Sequence, residues 1–282
     1  MLDVKHSRYA VLLAVLLMTG CYAEKKDVED IKEDDSVHLD WQISRVYDSS
    51  TNQQQDQQQD QQQEQQQEQE QEQELDEISF SFRVEIKVGS LYVNAYLNDG
   101  LLLHLDDQQI DLGKYNVNEP YDDYVYYEVA IDDADDFEHV EISLKTPEKT
   151  FRSKLKLPER FTVENSATAE SYDPILDDIH LTWDSELPFA TVKGKLHYQY
   201  EQGVVGCERE EFSDAIESGN AYSIMMEDLH TGCDIKDLYT ENIRTSISLG
   251  GGDTLTPQIN DFEYYIIDFK QGYNWTRNIP MD

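Results

Sequence analysis

The stretch Ile78-Ser79-Phe80-Ser81-Phe82-Arg83-Val84-Glu85-Ile86-Lys87-Val88 alternates without interruption between apolar and polar side chains. Successive residues of an extended chain point to opposite faces. A period of two therefore places Ile78, Phe80, Phe82, Val84, Ile86 and Val88 on a buried face and their neighbours in water. The same reading extends in both directions. Leu91 to Leu97 breaks at Asn98-Asp99-Gly100 and resumes at Leu101 to Leu105, the short-range signature of a hairpin. Tyr124 to Ile131, Phe137 to Leu144, Phe151 to Leu157 and Phe161 to Val163 follow, each bounded by acidic, Pro or Gly punctuation. After the small, polar stretch 165–178, strands restart at Ile179-His180-Leu181-Thr182-Trp183 and recur at Ala190 to Tyr200, Ala221 to Met226, Ile243 to Leu249 and Phe262 to Phe269. One helix is expected over Glu210 to Ser218, where Phe212, Ala215 and Ile216 stand three and four apart.

Short strands at this density, with turn signals between them, make the expected fold class all-β. Two immunoglobulin-like β-sandwiches in tandem are expected, one over 77–164 and one over 165–282. Upstream the composition changes sharply. Asn52 to Glu74 holds only Asn, Gln, Asp and Glu, with no apolar side chain to bury, so 21–76 is expected to be a mostly disordered acidic tether. As a flexible chain it spans about 40 Å and holds the folded part off whatever anchors it; length drift in a permissive loop is the alternative. Val37 to Val46 alternates weakly within it, as a stray strand or one folded against the body.

The first residues carry an address. Lys5, His6 and Arg8 precede the apolar run Ala10 to Met18, which ends at Thr19-Gly20-Cys21. A basic start, a short apolar run and small residues make 1–20 a secretory signal peptide. Nine apolar residues rise about 14 Å as a helix, well short of a bilayer span. Leu17-Met18-Thr19-Gly20-Cys21 resembles the lipobox of bacterial lipoproteins, with Met18 where that pattern prefers Leu. The resemblance implies that Cys21 takes a diacylglyceryl thioether and, after cleavage, becomes a fatty-acylated (palmitate-type) amino terminus held in the lipid bilayer. Two or more chains anchor stably, at about 0.8 kcal/mol per buried methylene. Tyr22 stands where an inner-membrane retention signal usually places Asp, which favours the outer membrane, facing the periplasm or the surface. The alternative is an ordinary signal peptide with a fortuitous cysteine. Ser153 to Val163, Leu181-Thr182-Trp183 and the later cysteine pair together resemble uncharacterised predicted lipoproteins of Gram-negative bacteria with two immunoglobulin-like modules. That likeness implies architecture and no chemistry.

Cys207 and Cys233 remain as a pair in an oxidising compartment. Bridged, they close a loop of about 27 residues with a chain-entropy stabilisation of roughly 3.5 kcal/mol; the alternative is two buried thiols. The formal charge of -37, from 59 acidic and 22 basic side chains, repels phosphate backbones and excludes nucleic acid as a partner. No G-x-S-x-G, H-E-x-x-H or dinucleotide fingerprint occurs, and Gly250-Gly251-Gly252 lacks the Lys-Ser/Thr of a phosphate loop and is expected to be a turn. His38, His104, His139, His180, His197 and His230 are scattered. Carboxylates are too abundant to single out an acid-base pair. Asp132, Asp133, Asp135 and Asp136, with Asp106 and Asp107, are weak candidates for Ca²⁺ at a sandwich rim. Tyr121, Tyr124, Tyr126, Tyr127 and Trp275 are candidates to stack on sugar, though alternation sends half of them to the core. The expected function is a non-enzymatic binding or structural module of the cell envelope, with an envelope protein or a glycan as partner. The alternatives are an envelope hydrolase on a β scaffold and a calcium-dependent adhesin.

Overall fold

The computed structural model describes residues 25–51, 77–95, 100–118, 125–132, 137–169, 171–200, 210–229 and 240–280. The chain is all-β. In order, the strands are β1 (Lys25–Asp27), β2 (Val37–Thr51), β3 (Glu77–Val88), β4 (Leu91–Asn94), β5 (Leu101–Leu105), β6 (Gln108–Asp111), β7 (Asn116–Asn118), β8 (Val125–Ile131) and β9 (His139–Lys145). The second half adds β10 (Thr150–Lys156), β11 (Val163–Asn165), β12 (Ile179–Trp183), β13 (Phe189–Tyr200), β14 (Glu210–Ala215), β15 (Ala221–Ile224), β16 (Thr240–Thr254), β17 (Ile259–Asn260) and β18 (Tyr264–Pro280). A single helical turn, α1 (Met226–Leu229), precedes β16.

The strands form one large sheet and two small ones. The large sheet runs β1-β4-β3-β2-β18-β16-β13-β14, with β8 on the free part of β3 and β7 beside β8. A five-stranded sheet, β17-β10-β9-β5-β6, and a three-stranded sheet, β11-β12-β15, complete the fold. The alternation that announces β3 is kept: Phe80, Phe82, Val84 and Ile86 are buried to within 1 %. Leu101, Leu103 and Leu105 of β5, Val140, Ile142 and Leu144 of β9, and Leu181 and Trp183 of β12 join them in one continuous hydrophobic core. Aromatic contacts knit the layers together. Phe80 meets Phe137 at 5.1 Å, and Phe189 lies edge-on to Phe161 at 5.1 Å and to Trp183 at 5.4 Å.

The regions expected at 77–164 and 165–282 are not joined simply end to end. β2, from the segment expected to be tether, lies between β3 of the first region and β18 of the second. It is antiparallel to β3 from Val37↔Val88 to Asp48↔Glu77, and parallel to β18 from His38↔Tyr264 to Thr51↔Arg277. β17 likewise pairs with β10, carrying late chain into the five-stranded sheet. The weak pattern at 37–46 therefore belongs to a central strand. Leu39, Trp41, Ile43 and Tyr47 are buried on its inner face, and the pattern looked weak because Arg45 occupies an inward position among them.

Arg45 is fully buried and has a defined job. Its Nη1 and Nη2 donate to the carbonyls of Pro158 and Glu159, both at 2.9 Å, and its guanidinium lies 5.3 Å from the Phe269 ring and 5.4 Å from the Tyr47 ring. Arg277 of β18 repeats the device, donating from Nη1 to the carbonyls of Ala167 at 3.0 Å and Ala169 at 2.6 Å. A buried cation is expensive unless dipoles replace its water. Here carbonyl oxygens, and for Arg45 aromatic faces as well, do so. Two arginines of the large sheet thereby grip the chain that leads from β10 to β12.

Two local expectations are corrected. Glu210 to Ala215 is strand, not helix, because it pairs along the edge of β13 from Leu196↔Glu210 to Thr191↔Ala215, and that long-range pairing overrides helical spacing. Gly250-Gly251-Gly252 is not a turn but the interior of β16. A Cβ on Gly251 would stand 2.1 Å from the Pro188 carbonyl oxygen, and one on Gly252, whose φ is +153°, 2.1 Å from that of Phe269. The glycines let β13 and β18 close onto β16.

The glutamine-rich tract connects β2 to β3, two neighbouring strands whose ends are paired at Asp48↔Glu77. Its ends are thus fixed by the sheet. The entropy of closing a loop grows only with the logarithm of its length, about 0.6 kcal/mol per doubling. Replacing residues 52–76 by a four-residue turn should therefore leave the fold intact and raise its stability by about 1.5 kcal/mol, read from the urea midpoint at unchanged slope. Loss of cooperative folding in that variant would contradict the hairpin connection.

Candidate functional site

The five-stranded sheet gathers a set of ionisable side chains in a concave surface, a depression of about 270 Å³ lined by His104, Asp106, Asp107, His139, Val140, Glu141 and Lys154. Register does the gathering. β5 and β9 pair so that His104 stands opposite Glu141, and β9 and β10 pair so that Glu141 stands opposite Lys154. Histidines that are 35 residues apart in sequence thus share one wall. Cross-strand register has no signature in the sequence of either strand alone.

The groups are largely committed to the fold. Asp106, at a φ of 46° in the turn between β5 and β6, accepts the backbone N–H of Glu138 at 3.1 Å and of His139 at 2.9 Å. Its own N–H donates to the His139 carbonyl at 3.0 Å. An aspartate tolerates this left-handed conformation better than most residues and here also closes the turn onto β9. The His139 ring lies 3.8 Å from the same carboxylate, an ion pair when the imidazole is protonated. Glu141 lies 3.8 Å from the Arg152 guanidinium.

His104 Nε2 and the hydroxyl of Ser143 are 3.1 Å apart, a contact that in another setting suggests a nucleophile and its base. The same pairing occurs at His180 and Ser223, 2.9 Å apart, and at Ser36 and His38, 3.1 Å apart. Its recurrence between the paired strand residues His180 and Ser223, and between Ser36 and His38 two residues apart, marks it as a local polar contact. Ser143 is moreover 5 % exposed, so its hydroxyl is closed to a substrate approaching from solvent.

Among the described residues, no group of three or more His, Cys, Asp or Glu side chains is placed to hold a metal ion. Asp106 shows why acidic sequence is a poor guide here, since both of its carboxylate oxygens point at backbone N–H groups. Asp132 is exposed at the end of β8, and Asp133, Asp135 and Asp136 lie outside the described residues. Cys21, Cys207 and Cys233 also lie outside them. Of the aromatic candidates, Tyr127 and Trp275 are core residues. Tyr127 is fully buried, donates to the Val93 carbonyl at 3.0 Å and accepts from the Ala95 N–H at 2.7 Å, and burial pushes its phenol up to about 12. Trp275 is 1 % exposed. Tyr126 is buried too, 9% exposed, its ring covered by the Arg83 guanidinium 3.9 Å from the ring centre; Tyr121 and Tyr124 lie outside the described residues.

Neither a protein-family model nor a curated protein matches the chain. Among solved structures it is similar to the yeast delta-COP-I mu-homology domain, at 13% identity and a TM-score of 0.24, covering 88% of this chain and 98% of that one. The same yeast domain complexed with a Dsl1 WxWxV peptide is matched over equal shares at 10% identity and a TM-score of 0.23. Likeness of this degree carries no functional argument.

The role assigned to Asp106 has a direct check. Asp106→Ala removes two acceptor contacts and places a Cβ residue without a polar side chain in a left-handed conformation, and should cost about 2 kcal/mol in urea unfolding. Asp106→Asn keeps one acceptor oxygen and should cost about half as much. Equal stability of both variants and the parent would show the carboxylate to be free of structural duty.

Proposed function

We propose that the protein is a lipid-anchored component of the bacterial cell envelope whose β-sheet body acts as a non-enzymatic binding or structural module. The observation that carries this reading is the basic start, short apolar run and Leu17-Met18-Thr19-Gly20-Cys21 at the amino end. The all-β body is compatible with it.

The anchored reading changes in one respect once the strands are assigned. β1 starts at Lys25, so an acylated Cys21 has four residues to the first strand, a reach of at most about 14 Å. The body is then held close to the bilayer, and the glutamine-rich tract, lying between β2 and β3, cannot act as the spacer. The cysteine bridge remains part of the proposal. Cys207 lies in the connection from β13 to β14, and Cys233 in the stretch before β16; β14 begins opposite Leu196 and β16 opposite Tyr200, near the same end of β13.

Cys21→Ser should move the protein out of the membrane fraction, and the mature parent should carry a diacylglyceryl mass on its first residue. Unchanged fractionation of the variant, or a parent that retains Met1, would overturn the anchored reading.

A further inference from the structure

The start of β18 departs from the rest of the large sheet. Pairing of β16 with β18 reaches Thr254↔Asp268, and the Leu255 N–H donates to the Ile267 carbonyl at 2.8 Å. The chain between them leaves the sheet for β10, where the Gln258 and Asp261 N–H groups donate to the carbonyls of Lys154 and Arg152. Tyr264, Tyr265 and Ile266 are therefore held by β2 on one side and, among the described residues, by no strand on the other. All three are exposed, Tyr264 by 59%, Tyr265 by 40% and Ile266 by 55%. The side chains of β2 beside them decide how firmly this stretch is held.

Asp40 is placed there. It stands beside Ile266 on one side and directly opposite Glu85 of β3 on the other, with Asp268 one step further along β18 on the same face. Like charges directly opposite in an antiparallel pair destabilise it. Glu85 is only 9% exposed, so water screens little of the repulsion.

The same face carries cations, but they lean away from Asp40. Arg83 and Lys87 engage the two oxygens of Glu85, at 3.3 and 3.6 Å. Arg83 lies 3.9 Å from the Tyr126 ring centre on β8, where Glu128 also stands opposite it, and Lys87 lies 4.6 Å from the Tyr92 ring centre on β4. Both β4 and β8 flank β3 on the side away from β2. Lys270 pairs with Ser44, four residues along β2 and about 13 Å off. His38, two residues from Asp40, has its Nε2 3.1 Å from the Ser36 hydroxyl and its ring 4.7 Å from that of Tyr264. Asp268 accepts from the Thr254 hydroxyl at 3.2 Å. The Asp40 carboxyl accepts no hydrogen bond and closes no ion pair among the described residues. It is held above its ordinary range, first by burial and then by the Glu85 and Asp268 carboxylates, against the opposing pull of Lys87 and Arg83.

We propose that Asp40 is an acid-set latch on the first residues of β18. With its proton on, Tyr264–Ile266 seat against β2; with the proton off, an unpaired charge between Glu85 and Asp268 loosens that stretch while the rest of the sheet stays closed. Loosening is local because β16 does not hold these three residues. The closed form binds the Asp40 proton more tightly than the open one, so the latch is firmest in acid and weakens as pH rises from the ordinary carboxyl value of 3.8 through the raised one. The latch is independent of the anchor at Cys21.

The test is amide hydrogen exchange on the full chain in detergent, comparing the parent with Asp40→Asn at one pH at a time so that intrinsic rates cancel. Asn keeps the shape of the protonated carboxyl and carries no charge. At about pH 7.5 the amides of 264–267 should exchange about threefold more slowly in Asp40→Asn than in the parent, and at about pH 4 the two should coincide. Asp268→Asn should slow the same amides at about pH 7.5 by a smaller factor, which keeps the latch testable if circular dichroism shows Asp40→Asn to be unfolded. The effect of Asp40→Asn should persist with its pH dependence in a His38→Gln background. Equal exchange in all variants, or the same ratio at both pH values, would overturn the inference. So would loss of the pH dependence with His38→Gln, which would make the imidazole the titrating group, or equal slowing across β9, which would make the effect global.

Discussion

The fold depends on one strand being hydrogen-bonded on both sides. Residues 37–51 lie between an antiparallel neighbour only a connection away and a parallel neighbour more than two hundred residues later in the chain. A parallel pairing cannot be closed by a hairpin and must wait for the intervening chain to return. Everything between, including both small sheets, is built inside that closure. The carboxy-terminal strand is thus as central to the first half of the molecule as to the second, and one core serves both.

The buried arginines follow from this arrangement. Once β2 and β18 lie side by side, their inner faces must meet the connection that crosses from the five-stranded to the three-stranded sheet. That connection brings carbonyl groups into the interior without strand partners. Arg45 and Arg277 answer them with planar, multiply donating heads. A lysine offers a point charge in place of a fork, and an aliphatic side chain leaves the carbonyls unpaired.

What the sequence disclosed and what it hid divide along physical lines. Period-two alternation is local, so β3, β5, β9, β10 and β12 were legible from their own residues. Their neighbours were not. Nothing within 37–51 announces a partner at 264–280, and the inward Arg45 disguised the strand further. Glu210 to Ser218 carries helical spacing in its own residues, but the β13 edge captures Glu210 to Ala215 as strand, and Gly250 to Gly252 resembles a turn because close strand approach leaves the same residue preference. The depression at His104 and His139 is a product of register, and the open edge at Tyr264 to Ile266 appears only once β16 is known to stop short. The cysteine and the apolar run that suggest an anchor are legible in sequence alone.

Hydrogen exchange of the full chain, read by mass spectrometry on peptides covering 37–51, addresses the central strand most directly. Amides bonded on both sides of a core strand exchange only through global unfolding, so protection across this segment should equal that of 264–280 beyond its open first turn of residues. Exchange of 37–51 as fast as that of the glutamine-rich tract would contradict the account.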